Sequence, residues 1–418
     1  MQRWKARHTV LTVLFGVWIV CFLDRMVMST AIPYIAAEFK LSPSEMGWVM
    51  SAFFFSYALL QIPGGLLGDR FGVQKVMAIG IFWWSVFTAL TGVVGNLAQM
   101  LVMRVLFGIG EGIFPACSFK TISTWFPTKE RTTANAVMLA SNSFGPALAP
   151  LFVVAIMAAW GWRAVFYSLF IPGLVAIYFI MKYIKNTPGE SPYVSKEELA
   201  EIEAHEPTLA GVAKPSVWSV FKQPSVWLCF IILFTFDITL WGFMAWLPTY
   251  LVKARGFEMI KMGIVASLPF FAGTIGCVLG GWASDKYFQS SRKTPIIIAQ
   301  LITALCLYIM YTADNLNLVI FVQTVAGGAA LFVIAAFWAL PMNSIPKDVM
   351  GTAAGVINMA GQLAAFLSPL AVGYIVQWSQ GSFDSAFMFL ISGTLISAVL
   401  ALLVREKKRE SQATVTSR

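Results

Sequence analysis

Twelve long apolar stretches follow one another along the chain, and they constrain its fold more than any other feature. A helix needs roughly 20 residues to cross the hydrocarbon core of a bilayer. Such continuous runs predict spanning helices rather than the short alternating segments of a transmembrane β-barrel. We therefore predict an all-α membrane protein. The stretches lie at approximately 9–34, 46–67, 75–95, 98–118, 132–158, 162–183, 225–251, 261–282, 294–313, 316–340, 350–375 and 384–404.

The composition excludes soluble and disordered proteins. Of the 418 residues, 58% are hydrophobic and 12% are charged, whereas a soluble domain has about 45–50% apolar and about 25% charged residues. So little charge could not cover the surface of a soluble protein. The apolar content is also far too high for a disordered chain.

The basic residues are distributed unevenly between the loops. With the N-terminus in the cytoplasm, five of the 29 lysines and arginines face outward, two lie within spans, and the rest face the cytoplasm. This asymmetry is the positive-inside rule. We therefore predict a multi-pass protein of the cell inner membrane with both termini in the cytoplasm. The same placement accounts for the net charge of +9 without a nucleic-acid partner.

The five cysteines and two histidines show no pattern typical of a metal site. Each cysteine lies inside an apolar run without a partner at metal-binding or redox spacing, and His8 and His205 lie outside the clear spans. Such cysteines are typical of small buried hydrophobes. We predict neither a metal site nor a cofactor. Since the sequence also lacks a catalytic cluster, we predict that the protein is not an enzyme.

A weak internal repeat divides the chain. Gly65-Leu-Leu-Gly-Asp69-Arg70 follows the second span, and Gly281-Trp-Ala-Ser-Asp285-Lys286 follows the eighth, 216 residues later. Repeats at corresponding positions indicate two related bundles, with a substrate site near the membrane midplane. The longest polar stretch also carries a predicted short surface helix at 196–203. We predict six-helix bundles at 1–184 and 223–404, joined by a cytoplasmic loop at 185–222 and followed by a cytoplasmic tail at 405–418.

Ionisable residues within spans are functional candidates, because each costs at least roughly 2.5–3.5 kcal/mol to place there. Arg25 is the best candidate for holding an anionic substrate, since its planar guanidinium matches a carboxylate with two parallel hydrogen bonds. Glu111 lies among small residues close to Pro115, where its desolvated carboxyl is suited to bind and release a proton. An ion pair that only fixes helix packing is the alternative role for both.

Three further ionisable residues lie within spans. Asp24 precedes Arg25 directly, so the two side chains point about 100° apart and address different partners. Arg104 lies about 10 Å from Glu111 along the helix, and we predict that it pairs with Glu111 or Asp24 in one conformational state only. Asp237 is near the middle of the seventh span. Its role stays open between a second proton site, a contact to a polar substrate group and a structural partner of an arginine.

The segment Gly65-Leu66-Leu67-Gly68-Asp69-Arg70-Phe71-Gly72-Val73-Gln74-Lys75 resembles the signature loop of the major facilitator superfamily. Twelve spans in two halves and a central loop fit the same family over the whole chain. The resemblance implies the major facilitator fold, with two pseudo-symmetric six-helix bundles. It also implies charge contacts at the cytoplasmic helix ends that stabilise the outward-facing state. The residues concerned are Gly65, Asp69, Arg70, Gly72 and Lys75, with Asp285 in the second copy.

A narrower resemblance rests on Asp24-Arg25 and on Arg104 through Glu111-Gly-Ile-Phe-Pro115. This order is similar to the anion:cation symporter branch, which includes proton-coupled carriers of sugar acids and other organic acids. The resemblance implies that Asp24 and Glu111 couple protons and that Arg25 holds the substrate carboxylate. It also implies substrate contacts from four further residues, with helix packing as the alternative for the last three. They are Tyr57, Asn142, Trp338 and Asn358.

Two positions depart from the sugar-acid members of that branch. Phe22 stands where they often have a tyrosine, and Ala335 replaces a hydroxyl residue. Both changes remove groups that would bind substrate hydroxyls. A less hydroxylated or aromatic carboxylate is therefore nearly as strongly indicated as a sugar acid.

We predict a secondary active transporter that works by alternating access as a monomer in the lipid bilayer, with symport of protons and a small organic anion. An organic anion exchanger or exporter is the alternative, because net direction cannot be read from a sequence. A membrane sensor of the same ligand is less favoured, since the tail from Arg405 is too short for a signalling domain. The sequence leaves the identity of the anion and the choice between protons and sodium open.

Overall fold

A computed structural model of the protein describes residues 4–203, 220–288, 291–345 and 350–404, apart from the side chains of Asp285, Asn343 and Gly351. The described residues form α-helices and one 3-10 helix, Pro188–Glu190, and they contain no β-strand. The prediction of an all-α protein is therefore confirmed.

The helices follow the apolar stretches closely. They are α1 (Ala6–Phe39), α2 (Pro43–Phe71), α3 (Val73–Thr91), α4 (Leu97–Trp125), α5 (Thr128–Leu139), α6 (Ser141–Ser168), α7 (Phe170–Tyr183), α8 (Lys196–Glu203), α9 (Pro224–Lys253), α10 (Met259–Lys286), α11 (Lys293–Thr312), α12 (Leu316–Phe337), α13 (Ala339–Ser344), α14 (Met350–Trp378) and α15 (Asp384–Leu402).

Eleven helical stretches of the described residues are long and apolar enough to cross a membrane. One of them, Thr128–Tyr183, has 56 residues. At 1.5 Å per residue this is about 84 Å of helix, far more than one crossing of about 30 Å requires. Gly161 interrupts the stretch with a φ of 77°, a left-handed conformation that glycine adopts freely. The predicted spans 132–158 and 162–183 lie on either side of it, so this stretch supplies two crossings.

The described residues divide into two compact units. One contains residues 4–203, 241–270 and 365–386, and the other contains 220–240, 271–364 and 387–404. Helices α1 to α8 lie wholly in the first unit, and α11 to α13 lie wholly in the second. The boundaries of these two units differ from those of the bundles predicted from the sequence repeat, so the bundles at 1–184 and 223–404 stay a prediction.

In the first unit, α4 packs closely against α2 and α3 through the segment Gly108-Ile-Gly110-Glu111-Gly112. A Cβ atom on Gly112 would lie 2.6 Å from the backbone oxygen of Tyr57 on α2. A Cβ atom on Gly110 would lie 2.8 Å from the backbone nitrogen of Trp84 on α3. Only hydrogen fits at these positions. Both neighbouring helices therefore close around Glu111, which is 0% exposed.

We expect Gly112→Ala to lower the thermal stability of the purified protein. The added methyl group would overlap the backbone of α2, and overpacking of this kind costs about 1–3 kcal/mol. Gly16→Ala is the matched control, because no atom lies within 4 Å of a Cβ built there and alanine favours a helix over glycine by about 1 kcal/mol. Thermal unfolding in detergent compares the two. Equal melting temperatures for Gly112→Ala and the wild type would contradict the packing account.

The polar stretch between the halves carries α8, which the sequence predicts at the same residues. Glu198 accepts hydrogen bonds from the backbone N–H groups of Ala6 and Arg7, each at 3.0 Å, at the start of α1. Glu201 forms ion pairs with Lys5 at 2.5 Å and with Arg7 at 3.1 Å. Helix α8 thus satisfies N–H groups that a helix start leaves unpaired and places negative charge beside the positive end of α1.

Hydrogen bonds from Lys5 and Arg7 hold the pKa of Glu201 at about 2. An acid with a lowered pKa stabilises the fold above its ordinary pKa of about 4.3, and this stabilisation is lost as the pH falls to about 2. We expect Glu201→Gln to lower the melting temperature by roughly 1–3 °C at neutral pH. The difference should disappear toward pH 2. Melting curves at several pH values measure it, with the exposed Glu203→Gln as control, and a difference independent of pH would contradict this assignment.

Candidate functional site

The interior of the first unit holds an ion pair between α1 and α4. The Nε of Arg25 donates a hydrogen bond to Oε1 of Glu111, and both residues are buried, at 8% and 0% exposed. The guanidinium carbon lies 4.5 Å from the ring centroid of Tyr57 and 5.0 Å from that of Phe22. Within the described part of the chain, Nη2 of Arg25 and Oε2 of Glu111 have no hydrogen-bond partner. The pair therefore keeps one donor and one acceptor available.

Asp24 adjoins this ion pair on α1 but takes no part in it, as its neighbouring position on the helix predicts. It is 1% exposed, and neither carboxyl oxygen has a hydrogen-bond partner among the described residues. The indole of Trp84 and the hydroxyl of Thr88, both on α3, face the carboxyl without reaching hydrogen-bonding geometry. Asp24 is thus a second buried carboxyl close to Arg25 that is not neutralised by an ion pair in this conformation.

Arg104 also lies in the interior, at 4% exposed. Its Nε donates to the backbone oxygen of Val49 at 3.4 Å. Its guanidinium carbon lies 5.2 Å from the ring centroid of Phe53 and 5.0 Å from that of Phe107. Among the ion pairs of the described residues, none involves Arg104. Pairing with Glu111 or Asp24 in another conformational state stays a prediction.

A narrow cleft lies beside both arginines, with a cavity volume of about 20 Å³ in this conformation. All of its lining residues belong to the first unit. The two guanidinium groups supply its positive charge, and aromatic rings and thioether groups supply most of the wall. In this conformation the cleft has room for about one water molecule, so its wall matches a small anion with an apolar part in chemistry and not in size. The lining residues are Arg25, Met26, Met28, Ser29, Met50, Phe53, Phe54, Arg104, Trp241, Met244 and Ala245.

The other predicted substrate contacts lie outside this cavity wall. Tyr57 is buried and packs its ring against Arg25. Asn142 is exposed on α6 of the same unit. In the second unit, Trp338 is half-buried between α12 and α13, and Asn358 is exposed on α14. The structure thus brings Tyr57 to the ion pair, whereas substrate contacts from the other three residues stay predictions.

Comparison with known families decides the identity of the fold. The sequence profile of the Major Facilitator Superfamily matches residues 13–369. The chain belongs to this superfamily. Among solved structures, a bacterial homologue of the human lysosomal transporter Spinster, in an inward-facing and occupied conformation, matches with a TM-score of 0.80 at 17% identity. The match covers 96% of this chain and 97% of that one, so the predicted major facilitator fold is confirmed.

Two bacterial relatives narrow the position of this chain within the major facilitator superfamily. The probable galactarate/D-glucarate transporter GarP of Escherichia coli (strain K12) is 33% identical over 423 residues, which cover 95% of this chain and 94% of that relative. The probable sulfoacetate transporter SauU of Cupriavidus necator is 33% identical over 412 residues, which cover 94% and 92%. The protein is therefore a multi-pass membrane transporter of this superfamily and not an enzyme.

The superfamily's signature segment joins α2 to α3. Asp69 forms an ion pair with Lys120 of α4, with 2.6 Å between Oδ1 and Nζ. Gly72 has a φ of 88°, and a Cβ atom there would lie 2.5 Å from Oδ1 of Asn186, so this turn requires glycine. Gly65 meets α4 at an ordinary distance, Arg70 and Lys75 are exposed, and the side chain of Asp285 is outside the described residues. A role in stabilising one conformation stays a prediction.

Sequence reasoning missed the aromatic wall of the cavity. The rings of Phe54 and Trp241 meet edge to face, with centroids 5.0 Å apart, and Phe53 lies within reach of both arginines. The sequence places two of these rings one helical turn from a candidate site residue, because Phe53 is one turn before Tyr57 and Trp241 is one turn after Asp237. Aromatic residues are too frequent in spanning helices for such spacing to identify a binding surface alone.

Proposed function

We propose that this transporter couples the entry of a small organic anion to the entry of protons across the bacterial inner membrane. The observation that carries the proposal is the buried ion pair of Arg25 and Glu111 beside the cavity. It joins an anion-binding group to an ionisable carboxyl in a single contact. Asp24, which is equally buried, adds a second ionisable carboxyl next to the same arginine.

The substrate class follows from the cavity and the relatives together. GarP and SauU carry the names of galactarate, D-glucarate and sulfoacetate, all of which are organic anions. The free Nη2 of Arg25 is placed to donate to an acidic group of such a ligand. Phe22 presents a ring to Arg25 at 5.0 Å in place of a hydroxyl group. These contacts favour an anion with few hydroxyl groups, or an aromatic carboxylate, nearly as strongly as a sugar acid.

In this proposal, coupling arises because the Glu111 carboxylate and the substrate anion compete for the guanidinium of Arg25. When Glu111 takes up a proton, Arg25 loses its negative partner, and in a low-dielectric interior the unpaired guanidinium attracts an anion strongly. Protonation therefore favours anion binding, and by linkage anion binding favours protonation. After both have left, the ion pair forms again and neutralises the empty site. Transport requires that the ligand and the proton bind the two conformations differently, and rocking of the two halves would expose the site alternately.

The proposed orientation in the membrane and the proposed oligomeric state rest on the sequence. The excess of lysine and arginine on one side of the predicted spans places both termini in the cytoplasm. The proposed working unit is a monomer in the bilayer, as the resemblance to the major facilitator superfamily implies.

Uptake into proteoliposomes tests the proposal. Labelled D-glucarate, galactarate, sulfoacetate and benzoate would be offered with and without an inward proton gradient. We expect accumulation of at least one anion above its external concentration only with the gradient. The matched control is the double variant Asp24→Asn, Glu111→Gln, which should not accumulate the anion.

The same assay separates the alternatives. Uptake that follows an internal anion rather than the proton gradient would identify an exchanger, and uptake that follows sodium would replace protons as the coupling ion. Saturable binding of one of these anions without transport under any gradient would identify a sensor. Each of these results would contradict proton symport.

A further inference from the structure

A buried carboxyl in the second unit has no part in the site described above. Asp237 lies near the middle of α9 and is 6% exposed. Its Oδ1 has no hydrogen-bond partner among the described residues. A Cβ atom on Gly361 of α14 would lie 2.6 Å from Oδ2. Gly361 therefore leaves the space that the carboxyl occupies, and the two helices meet tightly at this point.

The helices of the C-terminal half offer no cation to neutralise Asp237. Helices α9 to α15 contain no arginine or histidine. Their lysines stand at the last residue of α9, at the third and last residues of α10 and at the first residue of α11. No ion pair within the described part of the chain involves Asp237. A cation from its own bundle is therefore not available at the middle of α9.

The titratable groups on the helices that pack here are also remote. Besides α14, helix α15 meets α9 nearby, where Thr239 donates to the backbone oxygen of Leu390 at 2.6 Å. Each titratable group on these three helices is at least about 9 Å along its helix from the contact, and none of them forms an ion pair with Asp237 within the described part of the chain. These groups are Cys229, Tyr250 and Lys253 on α9, Tyr374 on α14 and Asp384 on α15.

An isolated buried carboxylate is unfavourable unless it is paired or binds a proton. Pairing requires a cation, and stabilisation of the anion by hydrogen bonds requires donors to both oxygens. The described surroundings of Asp237 supply no such cation, and its Oδ1 has no donor. The remaining way to remove the charge is for the carboxylate to bind one proton and become a neutral carboxylic acid.

We propose that Asp237 is a further proton-binding site, separate from Asp24 and Glu111. The site is loaded while α9 and α14 are packed together at Gly361, and it releases its proton when these helices separate and water reaches the carboxyl. Helix α14 also carries Asn358, a predicted substrate contact one turn before Gly361. Substrate binding at Asn358 would thus change how α14 packs around the Asp237 carboxyl. The role in transport rests on the proposed function, whereas proton binding itself does not.

Infrared difference spectroscopy tests the site without any ligand. The wild type and Asp237→Asn, each reconstituted in liposomes, would be titrated from acid to alkaline pH, and the carbonyl band of a protonated carboxyl would be followed. We expect the wild type to show a band that is lost at alkaline pH and is missing in Asp237→Asn. Asparagine has the shape of the neutral acid, so the variant should fold. Asp314→Asn, an exposed aspartate of the same unit, is the matched control and should keep the band.

A second variant keeps the test decisive. Gly361→Ala would crowd Oδ2, so the titration of the same band should shift relative to the wild type. Identical spectra for the wild type and Asp237→Asn would overturn the proposal, because Asp237 would then be ionised or would not titrate. A failure of proton-driven uptake would overturn the proposed function but would leave this spectroscopic result unchanged, so the two failures are distinguishable.

Discussion

Anion uptake by an Arg25→Gln variant is expected to fall by roughly 30-fold or more, because removing one partner of a buried, hydrogen-bonded charge pair costs about 2–5 kcal/mol and each 1.4 kcal/mol is tenfold. The change removes the donor proposed to hold the substrate and leaves Glu111 buried without its partner. Arg25→Lys should also lose most activity, because an ammonium group keeps the charge but not the planar fork that lies over Tyr57. Initial rates of labelled anion uptake at several concentrations measure the effect.

Arg163 offers a matched control for this substitution. It also combines a carboxylate with an aromatic ring, since Nη1 and Nη2 donate to Glu38 at 2.9 and 2.7 Å and the guanidinium carbon lies 4.2 Å from the ring centroid of Trp162. Its side chain is 38% exposed, and exposed pairs contribute about 0–1 kcal/mol. Arg163→Lys should therefore keep uptake near the wild-type rate. Equal losses of uptake in Arg25→Lys and Arg163→Lys would show that Arg25 has only a structural role.

Glu111→Gln should abolish proton-driven accumulation while leaving exchange of the anion intact. Glutamine keeps the shape of the side chain and an oxygen that accepts from Nε of Arg25, but it neither ionises nor binds a proton near neutral pH. The site would thus stay in the form that favours anion binding, and uptake would no longer draw on the proton gradient. Accumulation under a pH gradient and counterflow between equal internal and external anion pools measure the two properties separately.

The exposed Glu190 provides the control for this change. Its Oε1 accepts from the hydroxyl of Thr187 at 3.1 Å, so Glu190→Gln makes the same substitution outside the predicted spans. It should change neither accumulation nor counterflow. Loss of counterflow together with accumulation in Glu111→Gln would indicate that Glu111 fixes helix packing instead of coupling a proton.

The sequence predicted the helices well because the bilayer imposes a length and an apolar composition on each span. It also identified the buried charges, since a charge in an apolar run is conspicuous. It did not determine their partners. Arg25 and Glu111 are 86 residues apart, and Asp69 and Lys120 are 51 apart. Which side chains meet depends on the rotation of each helix about its axis, and helices that are apolar on all faces carry little periodic signal for that rotation.

The glycines illustrate the same limit. In the sequence, the segment from Gly108 to Gly112 stands out only as a run of small residues around Glu111. The sequence did not show that Gly112 faces α2 while Gly110 faces α3, or that the two contacts together close around Glu111. The cavity wall was missed for a related reason, because Trp241 comes from α9 and meets Phe54 of α2 only in the folded chain.

Proton movement driven by the anion alone tests the central claim most directly. Proteoliposomes containing a pH-sensitive dye would receive an external pulse of the anion that is accumulated, without any imposed pH gradient. Symport predicts that the lumen becomes acidic as the labelled anion enters. In Glu111→Gln, entry of the anion should leave the luminal pH unchanged. Anion entry with an unchanged or more alkaline lumen would contradict proton symport.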